Sequence, residues 1–288
     1  MIGTIAQLLE SDHGLAAISD TARLDLELLL CSVLRCERSY LFTWPETRLN
    51  ESQCAAFQTL LERRLNGEPV AYIIGQQGFW SLELEVDAST LIPRPETELL
   101  VEQALLLLQD RAALPSRVAD LGSGSGAIAL ALANERPAWQ LLGVDRVAPA
   151  VALANRNAHR LQLTNARFVE GSWCGGLEGG PYDLIVSNPP YIDAEDPHLA
   201  QGDVRFEPRS ALVAGQQGLA DIRAIGEQAR HWLRTGGWLL FEHGFAQGGA
   251  VRDLLSSLGY GEVGTQRDLA GLERVTRARW VGDEESTQ

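Results

Sequence analysis

From Arg117 to Glu242 the sequence alternates short apolar segments with stretches of helical period, and nothing else in the chain constrains the fold as strongly. Arg117–Leu121, Gln140–Asp145, Arg167–Glu170, Asp183–Ser187 and Gly237–Glu242 have the length and apolar character of buried strands. Ala127–Asn134 and Ala148–Leu161 lie between the early ones and read as helices. Strands reached through helices pair in parallel by right-handed crossovers, so an α/β sheet is predicted. Tyr260–Gln266 and Arg274–Trp280 break the pattern. Only a short turn-rich stretch separates them, which predicts an antiparallel hairpin closing one sheet edge. Asp283 to Gln288 are expected to form a disordered tail.

The first 75 residues have a different texture. Asp20–Cys36 places Leu24, Leu28, Cys31 and Leu34 near helical spacing, with Asp20 or Thr21 as N-cap. Glu51–Leu65 repeats the pattern with Cys54, Phe57, Leu61 and Leu65, and Gly67 follows as a stop signal. Both stripes read as core packing in a small helical bundle. After Pro69, Phe79–Val86 alternates at strand period and is expected to pair with Tyr72-Ile73-Ile74. In Leu91-Ile92-Pro93-Arg94-Pro95-Glu96-Thr97-Glu98 the two prolines exclude a helix interior, and a helix should start after Pro95.

Charge narrows the function classes. With 24 basic against 38 acidic residues the net charge is -14. Nucleic-acid backbones are usually met by clustered Lys and Arg, so this is a poor DNA or RNA clamp and no direct nucleic-acid binding is expected. Cys31, Cys36, Cys54 and Cys174 form no C-x-x-C pair, and the five histidines lack ligand spacing. No metal site is expected, and His243 reads as structural or peripheral. No apolar run approaches bilayer length, and the N-terminus carries acids where a signal peptide carries bases. A soluble cytoplasmic protein without membrane contact is expected.

Two motifs carry chemistry. Val118-Ala119-Asp120-Leu121 runs into Gly122-Ser123-Gly124-Ser125-Gly126 and then a helix. Glycines allow a tight turn and close approach of a ligand to peptide groups, and the helix start offers free N–H groups. Asp145 ends the next strand, where a carboxylate can accept both ribose hydroxyls. The pair fits a nicotinamide dinucleotide as well as adenosylmethionine, because Gly122, Gly124 and Ala127 match G-x-G-x-x-A. The second motif, Asn188-Pro189-Pro190-Tyr191, follows the fourth strand. Its prolines stop the ladder and hold an amide and an aromatic ring at the ligand-binding rim. The Asn188 side-chain oxygen and the Pro189 carbonyl can accept the N–H groups of a planar nitrogen, and Tyr191 can stack on that group. Such a nitrogen is a weak nucleophile, so an activated sulfonium donor held in line meets its need. A dehydrogenase has no use for this motif.

On these residues the chain resembles the HemK/PrmC family of protein-glutamine methyltransferases that act on peptide chain release factors. The likeness rests on Leu91–Glu98, Asp120–Gly126, Asn188-Pro189-Pro190-Tyr191-Ile192, Phe206-Glu207-Pro208-Arg209 and the stretch 215–218. It implies a class I methyltransferase, with a Rossmann-like seven-stranded sheet behind a small N-terminal helical domain. The implied boundaries are 1–75 for the helical bundle, which recognises substrate, 76–90 for a hairpin linker and 91–288 for the methyltransferase domain. The family uses S-adenosyl-L-methionine, yields S-adenosyl-L-homocysteine and methylates the amide nitrogen of glutamine in a Gly-Gly-Gln segment. The resemblance assigns Gly122, Ser123, Gly124, Ser125, Gly126, Asp145, Trp173 and Asn188 to the donor. Asn188, Pro189, Pro190 and Tyr191 fall to the target amide. The N-P-P-Y motif is shared with nucleic-acid base N-methyltransferases, which form the alternative.

Overall fold

A computed structural model of the chain describes residues 3–215 and 218–282. The tail expected at Asp283 to Gln288 lies outside the described residues. The chain forms two compact units. One runs to Gln76 and takes in Pro197–Phe206; the other holds Gln77–Asp196 and the chain from Glu207 onward.

The first unit contains α1 (Ile5–Leu9), α2 (Ala22–Leu34), α3 (Arg38–Thr43), α4 (Glu51–Leu65) and α5 (Val70–Ile74). Its core includes Ile5, Leu26, Leu29, Leu30, Phe57 and Leu61. The α2 stripe expected from leucine spacing is rotated: Leu24 is exposed, and Leu28, Cys31 and Leu34 are half-buried. Two acids explain the difference. Asp25 and Glu27 share the buried face, and arginines answer their charges. Arg64 donates to Asp25 at 2.8 Å, while Arg23 and Arg38 donate to Glu27 at 2.8 and 2.6 Å. Arg64 likewise takes the buried place expected of Leu65, which is exposed. Its second bond, 2.7 Å to Asp203, holds the Pro197–Phe206 segment in this unit. Thr21 is the N-cap of α2, but its hydroxyl goes to Asp25 rather than to a backbone N–H.

Tyr72-Ile73-Ile74 is helical, not a strand. Tyr72 and Ile73 donate to the Pro69 carbonyl, and Gly75 ends α5 with a φ of 74°. The hairpin instead pairs β1 (Gln76–Phe79) with β2 (Leu82–Glu85).

In the second unit, α6 (Glu98–Leu107) follows a turn at Pro95–Thr97. Then come β3 (Arg117–Leu121), α7 (Ala127–Glu135), β4 (Gln140–Asp145), α8 (Ala148–Arg160), β5 (Ala166–Glu170) and β6 (Tyr182–Ser187). After α9 (Arg209–Leu212) and α10 (Ala220–Ala229) follow β7 (Leu233–Glu242), α11 (Gly248–Ser257), β8 (Tyr260–Arg267) and β9 (Glu273–Trp280). Among the described residues the sheet has seven strands in the order β5-β4-β3-β6-β7-β9-β8. β3 to β7 are parallel, and β9 runs antiparallel between β7 and β8. Both faces are apolar because helices cover both. Val118, Leu184 and Leu240 face one core layer; Ala119, Ile185 and Leu239 face the other. Among the described residues no helix is long and apolar enough to cross a membrane.

Candidate active site

Strand register builds the site. Leu121 lies opposite Val144 and Ser187, and Ser187 lies opposite Phe241. The next residue on each strand therefore emerges at one edge: Gly122, Asp145, Asn188 and Glu242. In a parallel sheet whose strand order reverses at β3, this carboxyl edge is where ligands bind.

The glycine loop and Asp145 are one construction. Gly122 and Ser123 donate to the Val144 carbonyl at 2.8 and 3.1 Å. Gly124 donates to Asp145 Oδ2 and Val147 to Asp145 Oδ1, both at 2.9 Å. These bonds fix the carboxylate plane, and each oxygen keeps capacity for another donor. Gly122 has a φ of 75°, and a Cβ there would meet the Trp173 ring at 3.2 Å. Gly126, at 85°, caps α7, and a Cβ would press into the Phe168 ring at 2.8 Å. Fully buried Asn157 supports the loop from α8. Its amide nitrogen donates to the Ser125 and Glu85 carbonyls, each at 3.0 Å, and its oxygen accepts from the Glu85 N–H at 2.8 Å. Sequence reading missed Asn157, because an Asn on an amphipathic helix gives no sign that it is buried.

A cleft opens over this loop. Gly122, Ser123, Gly124, Ser125, Asp145, Trp173, Asn188 and Pro190 line it, as do Leu91, Pro93 and Thr97 from the proline-rich segment. Gly126, Pro189 and Tyr191 are not among the lining residues. Trp173 has a φ of 50°, and its side chain lies near enough to Asp221 to act on that carboxyl. Burial raises the Asp221 carboxyl above its ordinary value, against the pull of Arg146 and of that indole. Trp173 thus packs on Gly122 while also lining the cleft.

At the other end, Asn188 Nδ2 donates to the Thr97 hydroxyl at 3.2 Å. Tyr191 turns inward, its hydroxyl 3.5 Å from Glu242 Oε1. Burial, with the Glu242 charge beside it, pushes the Tyr191 phenol up. Glu242 is 2% exposed, and burial pushes its carboxyl up to about 7, against the Thr97 hydroxyl and Arg274. Asp120 sits beneath the loop, wholly buried. Desolvation pushes it up to about 7, opposed by the Ala129 N–H and reinforced by Asp145. Arg94 forms an ion pair with buried Glu207, which also accepts from the Ile92 N–H at 3.1 Å. Neither Arg94 nor Glu96 lines the cleft. His243 is fully buried, with its ring nitrogens bonded to the Gly244 carbonyl and the Thr276 hydroxyl.

The residues fit an adenosyl sulfonium ligand. Asp145 can accept from a diol, and an aromatic wall stands beside it. Asp120 Oδ1 and Ser123 Oγ are buried without hydrogen-bond partners. Orphaned oxygens under a glycine loop suit a ligand that brings donors and positive charge.

Sheet order, glycine loop and the Asn-Pro-Pro-Tyr rim together define a class I methyltransferase. The family model "PrmC N-terminal domain" matches residues 9–75, and "Methyltransferase small domain" matches 97–204. The release factor glutamine methyltransferase of Vibrio cholerae is 54% identical over 93% of this chain and 93% of its own. That of Pseudomonas aeruginosa is 56% identical over 91% of this chain and 94% of its own. The chain belongs to the release factor glutamine methyltransferase family. In fold it is also similar to a methyltransferase from Pyrococcus furiosus, with a TM-score of 0.52, 18% identity and coverage of 78% of this chain and 100% of that one.

Proposed function

We propose that this protein transfers the methyl group of S-adenosylmethionine to the side-chain amide nitrogen of the glutamine in the Gly-Gly-Gln segment of peptide chain release factors, leaving S-adenosylhomocysteine. One observation carries the reading. Asn188 lines the same cleft as Asp145 and the glycine loop, and its amide nitrogen is already engaged by Thr97. Its oxygen is therefore the atom left for an incoming N–H.

The donor supplies a methyl group activated by a positively charged sulfur. Asp145 holds the ribose hydroxyls, the loop from Gly122 to Gly126 lies along the donor, and Trp173 stacks on its adenine. Asn188 Oδ1 and the Pro189 carbonyl accept the two N–H groups of the target amide. Both acceptors favour the positive charge that grows on nitrogen during attack, which is where electrostatic preorganisation acts. Pro190 lines the cleft and keeps water from the reacting atoms, while Tyr191, turned toward Glu242, braces the motif from behind. The N-terminal helices hold the release factor, a remote contact that can select one glutamine among many.

Labelled donor supplied with release factor, DNA and RNA in parallel tests the substrate class. Label is expected on release factor alone. Label on nucleic acid with none on release factor would favour a base N-methyltransferase.

A further inference from the structure

We propose that Phe245 and Leu269, the apolar tips of two turns at the active edge of the sheet, form a docking lip that seats the release factor beside its Gly-Gly-Gln segment. The inference rests on the reading above, in which a release factor is the acceptor.

The first turn follows β7 and is tied to the Asn-Pro-Pro-Tyr motif. It closes where the Gln247 N–H donates to the Gly244 carbonyl at 2.9 Å. The Gln247 side chain then bridges the turn to the motif. Its Oε1 accepts from the Gly244 N–H at 2.8 Å, and its Nε2 donates to the Tyr191 carbonyl at 3.1 Å. A Cβ on Gly244 would stand 3.7 Å from the Tyr191 ring. Beneath the turn, buried His243 holds the Gly244 carbonyl at 2.9 Å. Phe245 lies within this locked turn, yet its side chain is 61% exposed.

The second turn, Asp268 to Leu272, joins β8 to β9. Val275 of β9 lies opposite Glu242, and the His243 N–H donates to the Arg274 carbonyl at 3.0 Å. The turn therefore projects from the edge at which Asn188 and Asp145 emerge. Asp268 organises it. Its Oδ1 accepts from the Ala270 and Leu272 N–H groups at 3.0 and 2.9 Å, and its own N–H donates to the Leu272 carbonyl at 2.9 Å. Leu269 at the tip is wholly exposed, and Leu272 is exposed as well. The two turns adjoin. Gly248, which follows the first turn, packs so closely on the carboxylate of Glu273 that no Cβ fits between them.

A lone apolar side chain on a surface is ordinary. These differ in being held out by turns with little freedom left, so ordering them on binding costs little. A protein that places one glutamine at Asn188 must lay the chain around it against this edge. Charge selects the kind of partner. Arg252, Arg267 and Arg274 are paired with Glu273 or Asp268, at 3.0, 3.4 and 3.3 Å. A phosphate backbone calls for free cations. This lip offers carbon between paired charges, which suits an apolar protein surface, and such anchors carry much of the energy of protein interfaces.

The test measures kcat, acceptor KM and donor affinity on intact release factor, together with the sedimentation of the enzyme alone. It compares wild type, Phe245→Ala, Leu269→Ala and the double variant. Leu114→Ala is the control, because Leu114 is equally exposed but lies just before β3, at the opposite edge. Each single change should raise KM about 3- to 10-fold, and the double change about 10- to 100-fold. Values of kcat and donor affinity should stay within about twofold of wild type, since neither side chain lines the cleft. Leu114→Ala should match wild type. An unchanged KM in the double variant would overturn the proposal. So would a loss confined to kcat, which would mean that the turns only shape the site, or an equal rise in KM from Leu114→Ala. A wild-type dimer that the double variant converts to monomer, with KM unchanged, would assign the lip to a second copy of the chain instead. Absence of labelling on release factor by the wild type would overturn the substrate reading, and this inference with it.

Discussion

The Gly124 N–H donates to Asp145 Oδ2 at 2.9 Å, so the loop after β3 and the acid at the end of β4 are a single structural piece. With Val147 on the other oxygen, the carboxylate arrives at the cleft already oriented. Asp145→Ala should weaken S-adenosylmethionine binding by two charge-assisted hydrogen bonds, each worth roughly 1.5–3 kcal/mol. Isothermal titration checks this. Unchanged affinity would remove Asp145 from the ribose.

Asn188→Ala should lower kcat about 100- to 1000-fold while leaving most of the donor affinity, because its oxygen acts on the charge that appears only during transfer. Single-turnover kinetics at saturating donor provide the measurement. A rate near wild type would contradict the role given to Asn188.

Arg64→Met should destabilise the helical unit strongly. Removing a buried guanidinium leaves Asp25, itself 4% exposed, without its partner, and breaking such a pair costs about 3–5 kcal/mol. It also releases Asp203 and the Pro197–Phe206 segment. Urea unfolding followed by far-UV circular dichroism should show the loss, and an unchanged midpoint would contradict it.

Asp120 gives a pH-dependent signature in the donor-free protein. Its folded value, about 7, lies above its ordinary one, so it binds a proton more tightly when folded. That contribution to stability is complete at low pH and is lost as pH rises through about 7. Glu242 acts in the same sense, while His243, held low by burial, acts in the opposite one. A difference measurement separates Asp120 from both. Asp120→Asn should gain stability relative to wild type between about pH 5 and pH 8. A difference that stays constant across this range would contradict the assignment.

The sheet was legible in the sequence because strands buried on both faces must be apolar throughout, and glycine and proline mark where they end. The loop from Gly122 to Gly126, Asp145 and Asn188 could be placed at one edge for the same reason: each directly follows such a strand. The N-terminal helices were harder. Leucines lie on more than one side of α2, and the buried side also carries Asp25 and Glu27, whose charges are met in part by the distant Arg64 and Arg38. Tyr72-Ile73-Ile74 reads as a strand partner for Phe79–Val86, but Pro69 and Gly75 bound a single helical turn, Val70–Ile74. Thr97, Asn157 and Glu242 were not seen as parts of the site. Their partners are 91, 72 and 51 residues away, and no local pattern encodes such pairings. The return of Pro197–Phe206 to the helical unit is equally nonlocal.

The most direct test of the account is the position of the transferred methyl group. Release factor incubated with the protein and labelled donor is digested, and the peptide containing Gly-Gly-Gln is fragmented by mass spectrometry. The account predicts one methyl group on the glutamine side-chain nitrogen, formed far more slowly when Asn188→Ala replaces the wild type. A methyl group on any other residue, or an unmodified peptide after complete reaction with active protein, would contradict it.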